Sequence, residues 1–151
     1  MEKIPEVEAA KTLMTEAVSW SVMKWLREKK RVRKTADQAN AALDQLNQAV
    51  KDCWHDSVRV AYASLVTQES GNSTVPSQPT QEIDPQSRLS AKRVKEADDA
   101  AYRARMDAEE TFDEAERQLS TSLAREGCRK AIQSWELHEK AIRRAEALLP
   151  Q

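Results

Sequence analysis

Glycine is nearly missing from this chain: Gly71 and Gly127 are the only two in 151 residues. A phosphate-cradling loop, a dinucleotide fingerprint and a nucleophile elbow all need glycines at close spacing, so none of them can be built here. Cysteine is equally scarce. Cys53 and Cys128 are too few for a disulfide framework and lack the spacing of a zinc site, so both read as free thiols. No stretch approaches the roughly 20 apolar residues that span a bilayer, and "MEKIPEVEAAKTLM" has no apolar run suited to a signal peptide. A cytoplasmic protein without membrane insertion is expected. An excess of one charge is missing as well: 24 bases oppose 25 acids, for a net charge of −1, so any affinity for phosphate must be local.

What is present favours helices. Charged residues make up 32 %, and Ala, Glu, Lys, Arg and Leu dominate, which is the composition of long helices. Residues 6–70 contain neither Gly nor Pro, and Pro5 with Glu6 and Glu8 suits a first helical turn. Val7, Val18, Trp25, Ala36, Leu43, Trp54 and Ala61 are separated alternately by eleven and seven residues. Such a stripe, of period about 18, keeps to one face of a straight helix because about 18 residues complete five turns. Val32 and Val50 share that face.

After Gln68 the text turns to "ESGNSTVPSQPTQEIDPQSR", which has no periodic apolar face and reads as a loop. Asp84 before Pro85 then looks like an N-cap followed by proline in the first helical position. Beyond it Val94, Ala101, Phe112 and Leu119 share a face, flanked by Ala97, Ala108, Ala115 and Leu123. From Cys128 onward the stripe shifts to Ala131, Trp135 and Ile142, so Gly127 is expected either as a kink, a short break or a change of partner, or as an isolated glycine tolerated inside the helix.

The expectation is therefore an all-α single domain: helix 1 over about 5–69, a polar loop over about 70–84, and helix 2 over about 85–149. The helices would form a long antiparallel hairpin of roughly 90 Å, joining a second copy in a four-helix bundle. A compact monomeric alternative folds both helices in half near Thr35 and Gly127, where Thr35 with Gln38 matches a capping box.

Two surfaces are candidate sites. Near the termini both helices carry apolar residues off the main stripe, and a lone hairpin cannot bury two faces of each helix. Leu13, Trp20, Met23, Leu137 and Leu148 are the expected homodimer contact. The stretch "WSVMKWLREKKRVRK" supplies Arg27, Lys29, Lys30, Arg31, Arg33 and Lys34. In the hairpin register Arg125, Arg129 and Lys130 come level with them and complete a basic girdle for a polyanion. An acidic band, Asp107 to Glu116, lies further along helix 2.

Trp20 to Lys34 fits a membrane-surface helix poorly, because its apolar and basic residues are segregated along the axis more than around it. Metal chemistry finds one Asp-x-x-His, Asp52 to His55, where a di-iron bundle needs two Glu-x-x-His helices. The expected function is non-catalytic, with no cofactor and no metal: a helical interaction or scaffold protein that self-associates, with another protein as a further candidate partner. The alternatives are a nucleic-acid or polyanion binder using the girdle and, more weakly, a metal or enzyme site assembled in a bundle.

Overall fold

The computed structural model describes residues 2–69 and 84–150, so the segment expected as a loop lies outside the described residues except for Asp84. The described residues form five helices and no strand: α1 (Pro5–Ala17), α2 (Val22–Asp52), α3 (Asp56–Glu69), α4 (Pro85–Gln118) and α5 (Thr121–Glu146). The class is all-α. The first expected helix is divided in three and the second in two. The breaks fall at neither Thr35 nor Gly127, which lie inside α2 and α5.

Each break is made without glycine or proline, and at the α1–α2 and α4–α5 breaks serine side chains satisfy freed backbone groups. Between α1 and α2 the Ser19 hydroxyl donates to the Glu16 carbonyl at 2.8 Å, and Ser21 caps α2 by accepting from the Lys24 amide at 3.2 Å. Serine competes with helix in this way because its short side chain reaches its own backbone. Between α2 and α3, Trp54 turns inward, and its indole N–H donates to the Ala145 carbonyl at 2.8 Å. Leu119 ends α4 in the left-handed region, φ 51 and ψ 42. The Ser120 amide then reaches back to the Ala115 carbonyl at 3.0 Å, and the Ser120 hydroxyl accepts from Leu123 N–H. This six-residue closure is the usual way a helix reverses, but it normally employs glycine.

The termini that sequence chemistry marks are where it places them. Pro5 opens α1, and Asp84 caps α4 ahead of Pro85.

The breaks convert an extended hairpin into a bundle. Helices α4 and α5 form an antiparallel pair, and α5 also packs on α2 and α1, while α3 lies on α4. Contacts of Arg33 with Asp113, Asp44 with Arg105 and Lys51 with Asp98 run α2 antiparallel to α4. Instead of the roughly 90 Å of a straight hairpin, the longest helix, α4, is about 51 Å.

One buried cluster joins residues of all five helices, from Val7 and Met14 through Trp25, Leu43 and Val58 to Val94, Trp135 and Ile142. All but one of the stripe residues of the first expected helix are buried, Val18 being half-buried, although the helix breaks twice along the stripe. Asp99 pairs with Lys95, Asp113 with Arg33, Arg117 with Glu114 and Glu139 with Lys11.

Gly127 serves close packing. A Cβ on it would stand 2.9 Å from Cδ1 and 3.2 Å from Cγ of Phe112. The ring has little freedom to retreat, because Trp25 stacks on it at 6.3 Å between centroids with planes 7° apart. The shifted stripe therefore has its origin in the turn at Leu119 and Ser120. For Gly127→Ala the helix-propensity gain is about 1 kcal/mol and the cost of overpacking about 1–3 kcal/mol. We expect a net loss of about 1 kcal/mol in urea unfolding, and a smaller loss for the same change made in a Phe112→Leu background. A higher midpoint for Gly127→Ala alone would contradict the close contact.

Candidate functional site

The nine bases of the expected girdle divide into two groups. Four are engaged within the chain. Arg31 pairs with Glu28, and Arg33 pairs with Asp113 at 2.8 Å and Glu116 at 3.7 Å while lying over the Phe112 ring. Arg125 donates to the Trp20 carbonyl at 3.1 Å, and Lys130 contacts Asp107 at 3.1 Å and Glu126 at 3.4 Å. The Lys130 ammonium is held above its ordinary pKa chiefly by the hydrogen bond to Asp107. Basic girdle and acidic band thus meet inside one molecule, because the turn at Leu119 folds α5 back along α4.

Arg27, Lys29, Lys30, Lys34 and Arg129 have no ion-pair partner among the described residues. Arg27, Lys30 and Lys34 follow one another at spacings of three and four along the exposed side of α2. This spacing keeps them on one helix face. Beside them an open groove of about 670 Å³ is lined by Lys29, Lys30, Arg33 and Lys34, with Asp37 and Glu116 among its other walls.

The expected dimer contact is dispersed. Leu13 and Trp20 are 7 % and 6 % exposed and belong to the core, since α1 folds back and supplies the cover that their face needs. Leu137 is half-buried, and half-buried Leu148 lines a second groove with Val94, Arg93 and Arg144. Only Met23, at 69 % exposure, is open to solvent. Asp52 and His55 stand on opposite sides of the α2–α3 break, so the single Asp-x-x-His does not share a helix face.

Met23 has other company. Val22 and Leu26 beside it on α2 are exposed, and so is Leu119 in the α4–α5 turn, at 75 %. Contacts of Trp25 with Phe112 and of Arg125 with the Trp20 carbonyl bring the α1–α2 and α4–α5 turns to the same end of the bundle. Val22 and Leu26 stand in the basic stretch already singled out. Leu119 was hidden by its phase, which puts it on the stripe of a continuous helix, and nothing local announces the reversal.

A polar network between the helices, part-buried at Asp98 and exposed at Asp44, was not foreseen from the sequence. Asp98 accepts from Asn47 at 3.1 Å and from Lys51 and Tyr62 at 2.5 Å each, joining α2, α3 and α4. Arg105 grips Asp44 with two hydrogen bonds, at 3.0 and 2.8 Å. His138 is 7 % exposed and its Nε2 has no hydrogen-bond partner. Burial, then the charge of Arg105, pushes its pKa down to about 4, with Asp44 and Asp98 acting in the opposite sense. Burial likewise pushes the Cys128 thiol up to about 12, which keeps it protonated and a poor nucleophile at neutral pH.

An unfolded histidine titrates near its ordinary 6.5, whereas His138 in the folded chain stays neutral down to about 4. Between these values the unfolded chain binds more protons, so stability present above pH 6.5 is lost as the pH falls toward 4. The contribution of this one group is about 3 kcal/mol. His138→Leu is expected to flatten the wild-type acid slope over that interval in urea titrations at stepped pH. An unchanged slope would show that the imidazole is solvated.

Comparison of the chain with protein-family models, with curated proteins and with solved structures found no match.

Proposed function

We propose that the protein is a non-catalytic helical interaction protein that works through the end of the bundle formed by the α1–α2 and α4–α5 turns. The observation that carries this reading is the exposure of four large apolar side chains there, Val22, Met23, Leu26 and Leu119. Large apolar groups exposed at one end of a bundle are most economically understood as covered by something else. The remainder of the molecule spends its functional groups internally: carboxylates of the acidic band on Arg33 and Lys130, and Asp98 and Asp44 on cross-helix bonds.

This reading changes the self-association expected from the sequence. Leu13 and Trp20 are not available for it, so a contact between copies would centre on Met23 and its neighbours. The polyanion reading keeps Arg27, Lys30 and Lys34 but loses Arg33 and Lys130 to acids within the chain.

A photo-activatable residue at Met23 or Leu119, compared with one at Tyr102, tests the proposal. Tyr102 is 57 % exposed on α4 and serves as an equally accessible reference. In an extract of the source cells that retains their membranes, adducts to protein or lipid should form at Met23 and Leu119 well above those at Tyr102. Equal yields at all three positions would remove the basis for an interaction end.

A further inference from the structure

We propose that this end of the bundle docks on an anionic phospholipid surface. Val22, Met23, Leu26 and Leu119 would enter the headgroup region, and Arg27, Lys30 and Lys34 would stand behind them at the level of the phosphates. The inference rests on the reading of this end as the interaction surface and adds the chemistry of its partner.

Leu119 provides the first argument. It occupies the left-handed backbone region at φ 51, the position where glycine normally ends a helix, and its side chain is 75 % exposed. A leucine there raises the backbone energy and contributes little packing. Folding alone gives no account of it. Contact with an apolar phase does, and the same phase would cover Met23, which is 69 % exposed at the same end.

Charge provides the second argument. Residues 16–36 and 110–130, the segments that flank the two turns, contain eleven bases and seven acids, a net charge of +4 in a chain of −1, with Asp37, Asp107 and Glu109 just beyond them. Seven of those bases lack an acid partner among the described residues, whereas only Glu16 and Glu110 among the seven acids do. The uncompensated charge at this end calls for an anionic partner.

Geometry selects lipid among the anionic partners. Apart from Lys24, whose ammonium lies over the Trp20 ring, the exposed apolar residues of α2 precede its bases along the axis, which suits a bundle standing end-on. Lys30 follows Met23 by about 10 Å and Lys34 by about 16 Å. Interfacial side chains sit about 5–10 Å below the headgroup boundary, so the bases would reach the phosphates while the apolar tip is immersed. Two turns at a helix-bundle end make a protruding knob. A fluid surface closes around a knob, whereas a protein partner needs a shaped socket of about 800 Å². A nucleic acid would use the bases and leave the four apolar side chains in water. No helix of the described residues is long and apolar enough to cross a membrane, so the attachment is peripheral.

The test is sedimentation of the full chain with vesicles of phosphatidylcholine alone or of phosphatidylcholine mixed with phosphatidylserine. Binding to the mixed vesicles only, released by added salt, is expected. Replacing Arg27, Lys30 and Lys34 together by glutamine should weaken it on the order of a hundredfold. Leu119→Gly is the decisive variant, because it suits the left-handed backbone. It should raise Tm by a few degrees while lowering vesicle affinity about tenfold, so that lost binding cannot be attributed to misfolding.

Equal binding to both vesicle types, or binding unaffected by Leu119→Gly, would overturn the proposal. So would a lipid-free dimer that Met23→Asp converts to monomer in light scattering, since a second copy would then own the surface. Retention of duplex DNA at physiological salt, insensitive to Leu119→Gly and unaccompanied by vesicle binding, would assign the bases to a polyanion and likewise refute it. If Met23 cross-links to protein but vesicles are not bound, the lipid assignment fails and the interaction reading stands; if neither occurs, both fail.

Discussion

The arrangement of this protein turns on the ring of Phe112 resting where Gly127 has no side chain. That contact sets how closely α4 and α5 approach, and Trp25 stacks on the same ring, which brings in α2. Arg33 lies over Phe112 at 5.6 Å and from there reaches Asp113 and Glu116. Three helices and the Arg33 ion pairs across α2 and α4 are therefore referred to one aromatic ring.

Away from that ring the interfaces are thin. Ala91, Ala101, Ala108 and Ala115 are buried along α4, and Ala124, Ala131, Ala141 and Ala145 along α5. Alanine permits close approach but offers little relief to resist sliding of one helix past another. The cross-helix polar contacts supply what the alanines do not: Asp98 with Asn47, Lys51 and Tyr62, Asp44 with Arg105, and Glu139 with Lys11. Removing charges from water costs much of what pairing returns, so such contacts act more on register than on net stability. His138 sits among these groups as a neutral imidazole, and the interior polarity is thereby tied to pH.

At the end with Leu119 the same economy is reversed. The buried indole of Trp54, by contrast, is compensated by the Ala145 carbonyl. Leu119 combines an unfavourable backbone with an exposed side chain, and Met23 stands in solvent one turn from the basic face of α2. The folded chain alone leaves these two features without compensation.

The sequence by itself determined the helical class, the capped start of α4 at Asp84 and Pro85, and which faces are buried. Its periodic stripe reads burial correctly at Val7, Trp25, Leu43, Trp54 and Ala61 because side-chain phase is a local property that a short turn can preserve. Tertiary structure alone decided where the helices break. Ser19, Ser21 and Ser120 can sit within a helix or cap one, and the energy difference is small enough for packing of Trp20, Trp54 and Phe112 to choose. Once the chain folds back, Leu13 and Trp20 pass from expected interface to core, Arg33 and Lys130 pass from expected polyanion ligands to internal ion pairs, and Leu119 passes from stripe to surface. These three reassignments have one cause: a residue's face is set by its own helix, but what that face meets is set by elements distant in sequence.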